Sequence, residues 1–146
     1  MKAAVHDVDL VIEAVPEIPE LKAKVFAQLD EMAPEHAILG TNTSSLSIAS
    51  IAAATNRPDK VIGMHFFNPV PVLPLVEVVY TDASDGSFVD RAMYVCGALK
   101  KLPVRCKSAP GFLVNRALLP YVFKAVEAML NGADSDKIDQ ALVGFG

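Results

Sequence analysis

The segment Gly63-Met64-His65-Phe66-Phe67-Asn68-Pro69-Val70-Pro71-Val72-Leu73-Pro74-Leu75-Val76-Glu77-Val78 constrains the fold most. Its prolines and Asn68 force a sharp, non-helical connection between two apolar runs. One run ends near His65 and the next contains Glu77. A histidine that a carboxylate can reach is a candidate general base with an orienting partner, suited to proton abstraction near neutral pH.

The flanking sequence extends this pattern. Val8–Val15 is a continuous apolar run of the kind that forms strands buried on both faces. Pro16 and Pro19 open a helix with Leu21, Val25, Leu29 and Met32 on one face, and Pro34 stops it. Ala37–Gly40 reads as a second strand, followed by the polar turn Thr41-Asn42-Thr43-Ser44-Ser45 and a short helix with Ile48, Ile51 and Ala52 inward. Lys60–Phe67, Leu75–Tyr80 and Leu102–Cys106 complete five strands. Between the last two lies a helix over Val89, Met93, Cys96 and Leu99, with Ser87 and Asp90 as its capping box. Beyond Ser108-Ala109-Pro110-Gly111 the pattern becomes wholly helical. Phe112–Leu130 is apolar nearly all round, which predicts burial on more than one side, with a kink at Pro120. Asn131-Gly132 ends that helix and Ser135 begins another. Strand–helix alternation predicts an α/β layer structure over residues 1–107, followed by the first helices of an all-α part over 108–146.

Composition narrows the function classes. With 146 residues and 52% hydrophobic content the chain can build a packed core, and a net charge of −4 disfavours nucleic acid as a partner. No apolar run reaches membrane-spanning length, and the N-terminal sequence lacks the apolar core of a signal peptide. Cys96 and Cys106 read as buried or free thiols of a reducing compartment, although their spacing also permits a disulfide, and the expected location is the cytoplasm, or the mitochondrial matrix for a eukaryotic source. His6, His36 and His65 are scattered, without metal-ligand spacing.

Four segments, Ile12-Glu13-Ala14-Val15-Pro16-Glu17, Thr41-Asn42-Thr43-Ser44-Ser45-Leu46, Gly63–Pro71 and Pro110-Gly111-Phe112-Leu113-Val114-Asn115-Arg116, resemble the L-3-hydroxyacyl-CoA dehydrogenase family in order and separation. The resemblance implies a Rossmann-like NAD-binding domain, a helical domain that gives dimer contacts, and oxidation of an acyl-CoA 3-hydroxyl to a ketone. It implies that His65 is the general base, Glu77 its partner, Ser44 a hydroxyl on the reacting oxygen and Asn115 a positioning amide. It places Ala14, Glu17, Lys22 and Asn42 beside the cofactor. No G-x-G-x-x-G occurs, so the chain reads as an internal part of the family pattern, beginning just before its fourth strand. Leu10-Val11-Ile12 then forms an apolar sheet edge, expected to be covered by a second copy, by a swap or by the chain's own N-terminal residues.

Other readings of the same residues stand beside these. Glu77 fits a solvent-facing strand position, Ser44 and Ser45 fit helix caps, and Glu17 fits dipole decoration of a helix start. Lys22 and Lys24 fit solvated charges, and Lys107 fits either a CoA phosphate contact or a surface lysine. At the level of function, the alternatives are a non-catalytic, self-associating fragment and a dehydrogenase for another hydroxy acid or sugar acid.

Overall fold

The structure, a computed structural model, describes residues 2–145. Met1 and Gly146, the ends of the sequence-derived segments, lie outside the described residues. The described residues form two compact units, divided between Phe112 and Leu113. The first therefore runs five residues past the change of pattern seen in the sequence at 107.

The first unit is a sheet of five strands in the order β1 (Leu10–Glu13), β2 (Ile38–Thr41), β3 (Val61–Phe66), β4 (Leu75–Tyr80), β5 (Leu102–Lys107). Strands β1, β2 and β3 are parallel, β4 runs antiparallel to β3, and β5 is parallel to β4. The reversal follows from the proline-rich connection, which is too short for a crossover helix and returns the chain antiparallel. Lys101 Nζ donates to the carbonyls of Val70 and Leu73 and pins that connection.

Both faces of the sheet are covered. Helices α2 (Pro19–Met32) and α3 (Ile48–Ala52) bury Phe26, Leu29, Ile48 and Ile51 against Leu39, Val61 and Val79. Helix α4 (Gly86–Ala98) buries Val89, Ala92 and Cys96 against Ile38, Ile62, Met64, Val76 and Val78 on the other face. Each large buried side chain contributes roughly 1.5–3 kcal/mol of apolar transfer. Gly63 allows β3 and β4 to approach closely, because a Cβ there would meet Val79 Cβ at 2.7 Å and Ile48 Cδ1 at 3.0 Å.

Several local expectations change. Of the expected inward face of α2, Leu29 is buried and Val25 and Met32 pack against the core, while Phe26 and Lys22, the latter paired with Glu13, are buried beside them. The cap of α4 is Asp85, which accepts from Ser87 N at 2.7 Å, so the Ser87–Asp90 box is not formed. The N-terminal residues form a short helix, α1 (Lys2–Val5), packed by α2, and do not pair with β1, which remains an edge strand.

The second unit consists of α5 (Val114–Leu130) and α6 (Ser135–Phe145). Helix α5 continues through Pro120. Its predicted burial is overturned: no α5 residue is buried, and Phe123 and Leu130 are 63% and 83% exposed. A pair of helices covers only one stripe of each partner, so the remaining apolar faces of α5 stay open.

Candidate functional site

His65 and Glu77 are directly opposite in the antiparallel β3–β4 register. Side chains alternate along a strand, so Val61, Gly63 and His65 share the α2/α3 face with Glu77 and Val79. The solvent-facing alternative for Glu77 fails because helices cover both faces; Glu77 is 0% exposed. His65 Nδ1 lies 2.7 Å from Glu77 Oε2. Where Nδ1–H donates to the carboxylate, a neutral imidazole carries its lone pair on Nε2. The Phe67 and Phe112 rings flank the imidazole, with centroids 4.6 and 5.7 Å away. Phe112 is buried even though its φ is +48°, immediately after Gly111 at +73°. Left-handed backbone is unfavourable for a bulky residue, so burial of this ring offsets a local cost.

A charged network joins the carboxyl ends of β1 and β2. Lys22 Nζ is 2.7 Å from Glu13 Oε1, 3.1 Å from the Val15 carbonyl and 3.4 Å from Glu17 Oε2. Lys22 is 1% exposed, which overturns its reading as a solvated charge; an ammonium that donates to these acceptors can be buried. Glu13 also accepts from Thr41 Oγ1 at 2.8 Å and Val15 N at 2.6 Å.

Glu17 Oε1 holds the polar turn, accepting from Thr43 Oγ1 at 2.5 Å, Ser44 N at 3.0 Å, Ser45 N at 3.2 Å and Ser45 Oγ at 3.1 Å. Desolvation pushes the Glu17 pKa up. The Thr43 hydroxyl, the Ser44 amide, the Lys22 charge and Ser45 outweigh it and hold the value at about 2. Glu17 precedes α2, whose first residue is Pro19, so it is a clamp on the turn and not dipole decoration. Nor do Ser44 and Ser45 cap α3; Ser47 does, accepting from Ser50 N.

Asn42 donates its backbone N–H to the Glu13 carbonyl at 2.8 Å and accepts Phe66 N–H on its side-chain oxygen at 2.9 Å. Ala14 is exposed, one residue past the end of β1. Around the carboxyl ends of β1, β2 and β3 the structure thus gathers Ala14, Glu17, Lys22, Asn42, Ser44 and His65, with Glu77 opposite His65. Asn115 lies in the second unit, in the first turn of α5. Lys107 is paired with Asp82 at 2.7 Å on the surface.

The sequence reading gave no separate role to Glu13, Thr41, Thr43, Phe67 or Phe112. A usable signal existed only for Glu13, an acid ending an apolar run with a lysine nine positions on. Among the described residues no group of three His, Cys, Asp or Glu could hold a metal. No helix among them is long and apolar enough to cross a membrane.

Residues 1–109 match the family described as 3-hydroxyacyl-CoA dehydrogenase, NAD binding domain. Mitochondrial hydroxyacyl-coenzyme A dehydrogenase of Mus musculus is 46% identical over 141 residues, covering 96% of this chain and 45% of that protein. The 3-hydroxybutyryl-CoA dehydrogenase of Clostridioides difficile is 47% identical over 137 residues, covering 93% of this chain and 49% of that one. The crystal structure of FadB2 from M. tuberculosis superposes with a TM-score of 0.94 at 42% identity, covering 99% of this chain and 52% of that chain. The chain spans about half the length of the relatives it matches. Sequence match, α/β sheet and superposition agree: this chain belongs to the 3-hydroxyacyl-CoA dehydrogenase NAD-binding-domain family.

Proposed function

We propose that this chain carries the catalytic half-site of an NAD-dependent L-3-hydroxyacyl-CoA dehydrogenase. The observation that carries the reading is the buried His65–Glu77 pair, 2.7 Å apart at the end of β3. His65 Nε2 accepts the proton of the substrate 3-hydroxyl as the hydride leaves the same carbon, and returns it in the reverse direction. Glu77 holds Nδ1–H, fixes the tautomer and stabilises the imidazolium, within the roughly 10²–10⁴-fold range of general acid–base catalysis. Ser44 donates to the reacting oxygen, and Asn115, in the second unit, keeps the role of positioning amide that the resemblance implies.

The residues at the strand ends suit the nicotinamide end of NAD. In open α/β sheets ligands bind beyond the carboxyl ends of strands. There the chain offers the small exposed Ala14, the carboxylate of Glu17, the buried charge of Lys22 and the amide of Asn42. Hydride acceptance is the chemistry that NAD supplies when bound. The partner is an acyl-CoA, and the exposed apolar residues of α5 with the open edge of β1 support a homo-oligomer. Neither Cys96 nor Cys106 is in a disulfide, which suits a reducing compartment such as the cytoplasm or the mitochondrial matrix.

The test is NADH oxidation with acetoacetyl-CoA by the purified chain, with His65→Ala as control. Turnover abolished by the substitution is expected. A folded chain with no turnover, or turnover that survives His65→Ala, overturns the proposal.

A further inference from the structure

Strand β2 stops short of its neighbour. Its last residue, Thr41, is paired with Gly63, whereas β3 continues to Phe66. A further residue of β2 would normally supply a carbonyl to the β3 N–H groups beyond that point. Here the chain turns away into Thr43-Ser44-Ser45, and the Asn42 side chain replaces the missing strand, accepting Phe66 N–H at 2.9 Å. Because the donor is a backbone N–H, the acceptor is necessarily the amide oxygen, Oδ1. The Asn42 main chain is fixed in turn by its N–H on the Glu13 carbonyl, the last residue of β1.

The consequence lies in the neighbours. Ser44 is two residues after Asn42, and His65 is one residue before Phe66. The remainder of the turn is tied down at Glu17, which holds the Ser44 and Ser45 amides. His65 is tied laterally to Glu77 across β4. On the β2 side, Asn42 Oδ1 bridges the turn that carries Ser44 to the end of the strand that carries His65. We infer that Asn42 is a positioning residue that sets the separation of Ser44 and His65 through Oδ1. This rests on the dehydrogenase reading for its significance, since two groups that serve one substrate oxygen must be held in register.

The chemistry gives a discriminating set of variants. Asn42→Asp keeps an acceptor oxygen at the same reach and removes the NH₂ group. Asn42→Gln keeps the amide but displaces its oxygen by one methylene. Asn42→Ala removes both. The readouts are hydrogen–deuterium exchange at the Phe66 amide and the ¹⁵N ring spectrum of His65, measured by NMR on the whole chain, and neither requires turnover. Loss of one such hydrogen bond is expected to speed Phe66 exchange roughly 2- to 10-fold. Asn42→Ala and Asn42→Gln should show that increase together with an altered His65 ring spectrum, and Asn42→Asp should restore both. If Asn42→Ala does not fold, the contrast between Asp and Gln answers the question alone. Unchanged Phe66 exchange in Asn42→Gln overturns the inference, as does faster exchange with an unmoved His65 spectrum, or failure of Asn42→Asp to restore protection. These results are separable from the activity test: absent turnover with the expected NMR pattern counts against the dehydrogenase reading and leaves the bridge standing.

Discussion

His65 and Glu77 are cross-strand partners on a sheet face that is closed by helices, and their side chains meet at 2.7 Å with Glu77 wholly buried. Buried charge is retained only where it is paired, and here the pairing also fixes which imidazole nitrogen faces Glu77. Glu77→Gln keeps the shape and removes the charge. We expect at least a roughly 10²-fold fall in kcat for NADH oxidation with acetoacetyl-CoA. Full turnover in a folded Glu77→Gln protein would remove Glu77 from the mechanism.

Glu17 makes acid stability a reporter of the Ser44 turn. Its folded pKa of about 2 lies below the ordinary 4.5, so its ionised form stabilises the fold. That contribution is complete above pH 4.5 and is lost as pH falls towards 2. The side chain is 36% exposed, so solvent screening reduces the effect below what the shift alone implies. Thermal melting of wild type and Glu17→Gln from pH 6 downward should show a gap that narrows over this window; a constant gap would contradict the clamp.

Gly63 tests the close approach of β3 and β4. Gly63→Ala places a methyl 2.7 Å from Val79 Cβ, an atom too near the backbone to move alone. A loss of about 1–3 kcal/mol in urea unfolding is expected. An unchanged midpoint would show that the strands can separate without cost.

Arg57 closes the C-terminal end of α2. Its Nε donates to Asp30 Oδ1 at 2.7 Å, Nη1 to the Pro34 carbonyl at 2.6 Å, and Nη2 to the carbonyls of Ala33 and Asp30. Arg57→Ala leaves Asp30 and these carbonyls without the guanidinium and should cost about 3 kcal/mol. Arg57→Lys should recover little, because a single ammonium cannot reproduce the planar fork. Equal stability of the Lys variant and wild type in denaturant melts would refute the fork argument.

The exposed apolar residues of α5 predict self-association. Phe123→Glu, at a position 63% exposed, should shift the chain towards monomer in light scattering without changing its circular dichroism. A wild-type chain already monomeric at the same concentration would dismiss the association.

Most of the strands and helices were legible in the sequence. Apolar runs of strand length, prolines at helix starts and stops, and the unhelical Asn68–Pro74 connection are local constraints of backbone geometry, and β4 falls on Leu75–Tyr80 as read. The residues that resemble the dehydrogenase family were legible for the same reason: they are contiguous motifs. The rest depends on contacts between residues distant in the chain. Alternation along Val76-Glu77-Val78 states that Glu77 opposes its neighbours, but whether its face meets water depends on helices far away in the chain. Lys22 reads as a surface charge on its own helix; its burial follows from Glu13 and Glu17, which the end of β1 and the approach to α2 bring to it. Asn42 reads as a turn residue, and only the extension of β3 past the end of β2 gives its amide oxygen a strand to hold. In the helical part the apolar pattern of α5 meets no burial within this chain, because an apolar helix is buried only where neighbours cover it, and α5 has only α6 within its unit.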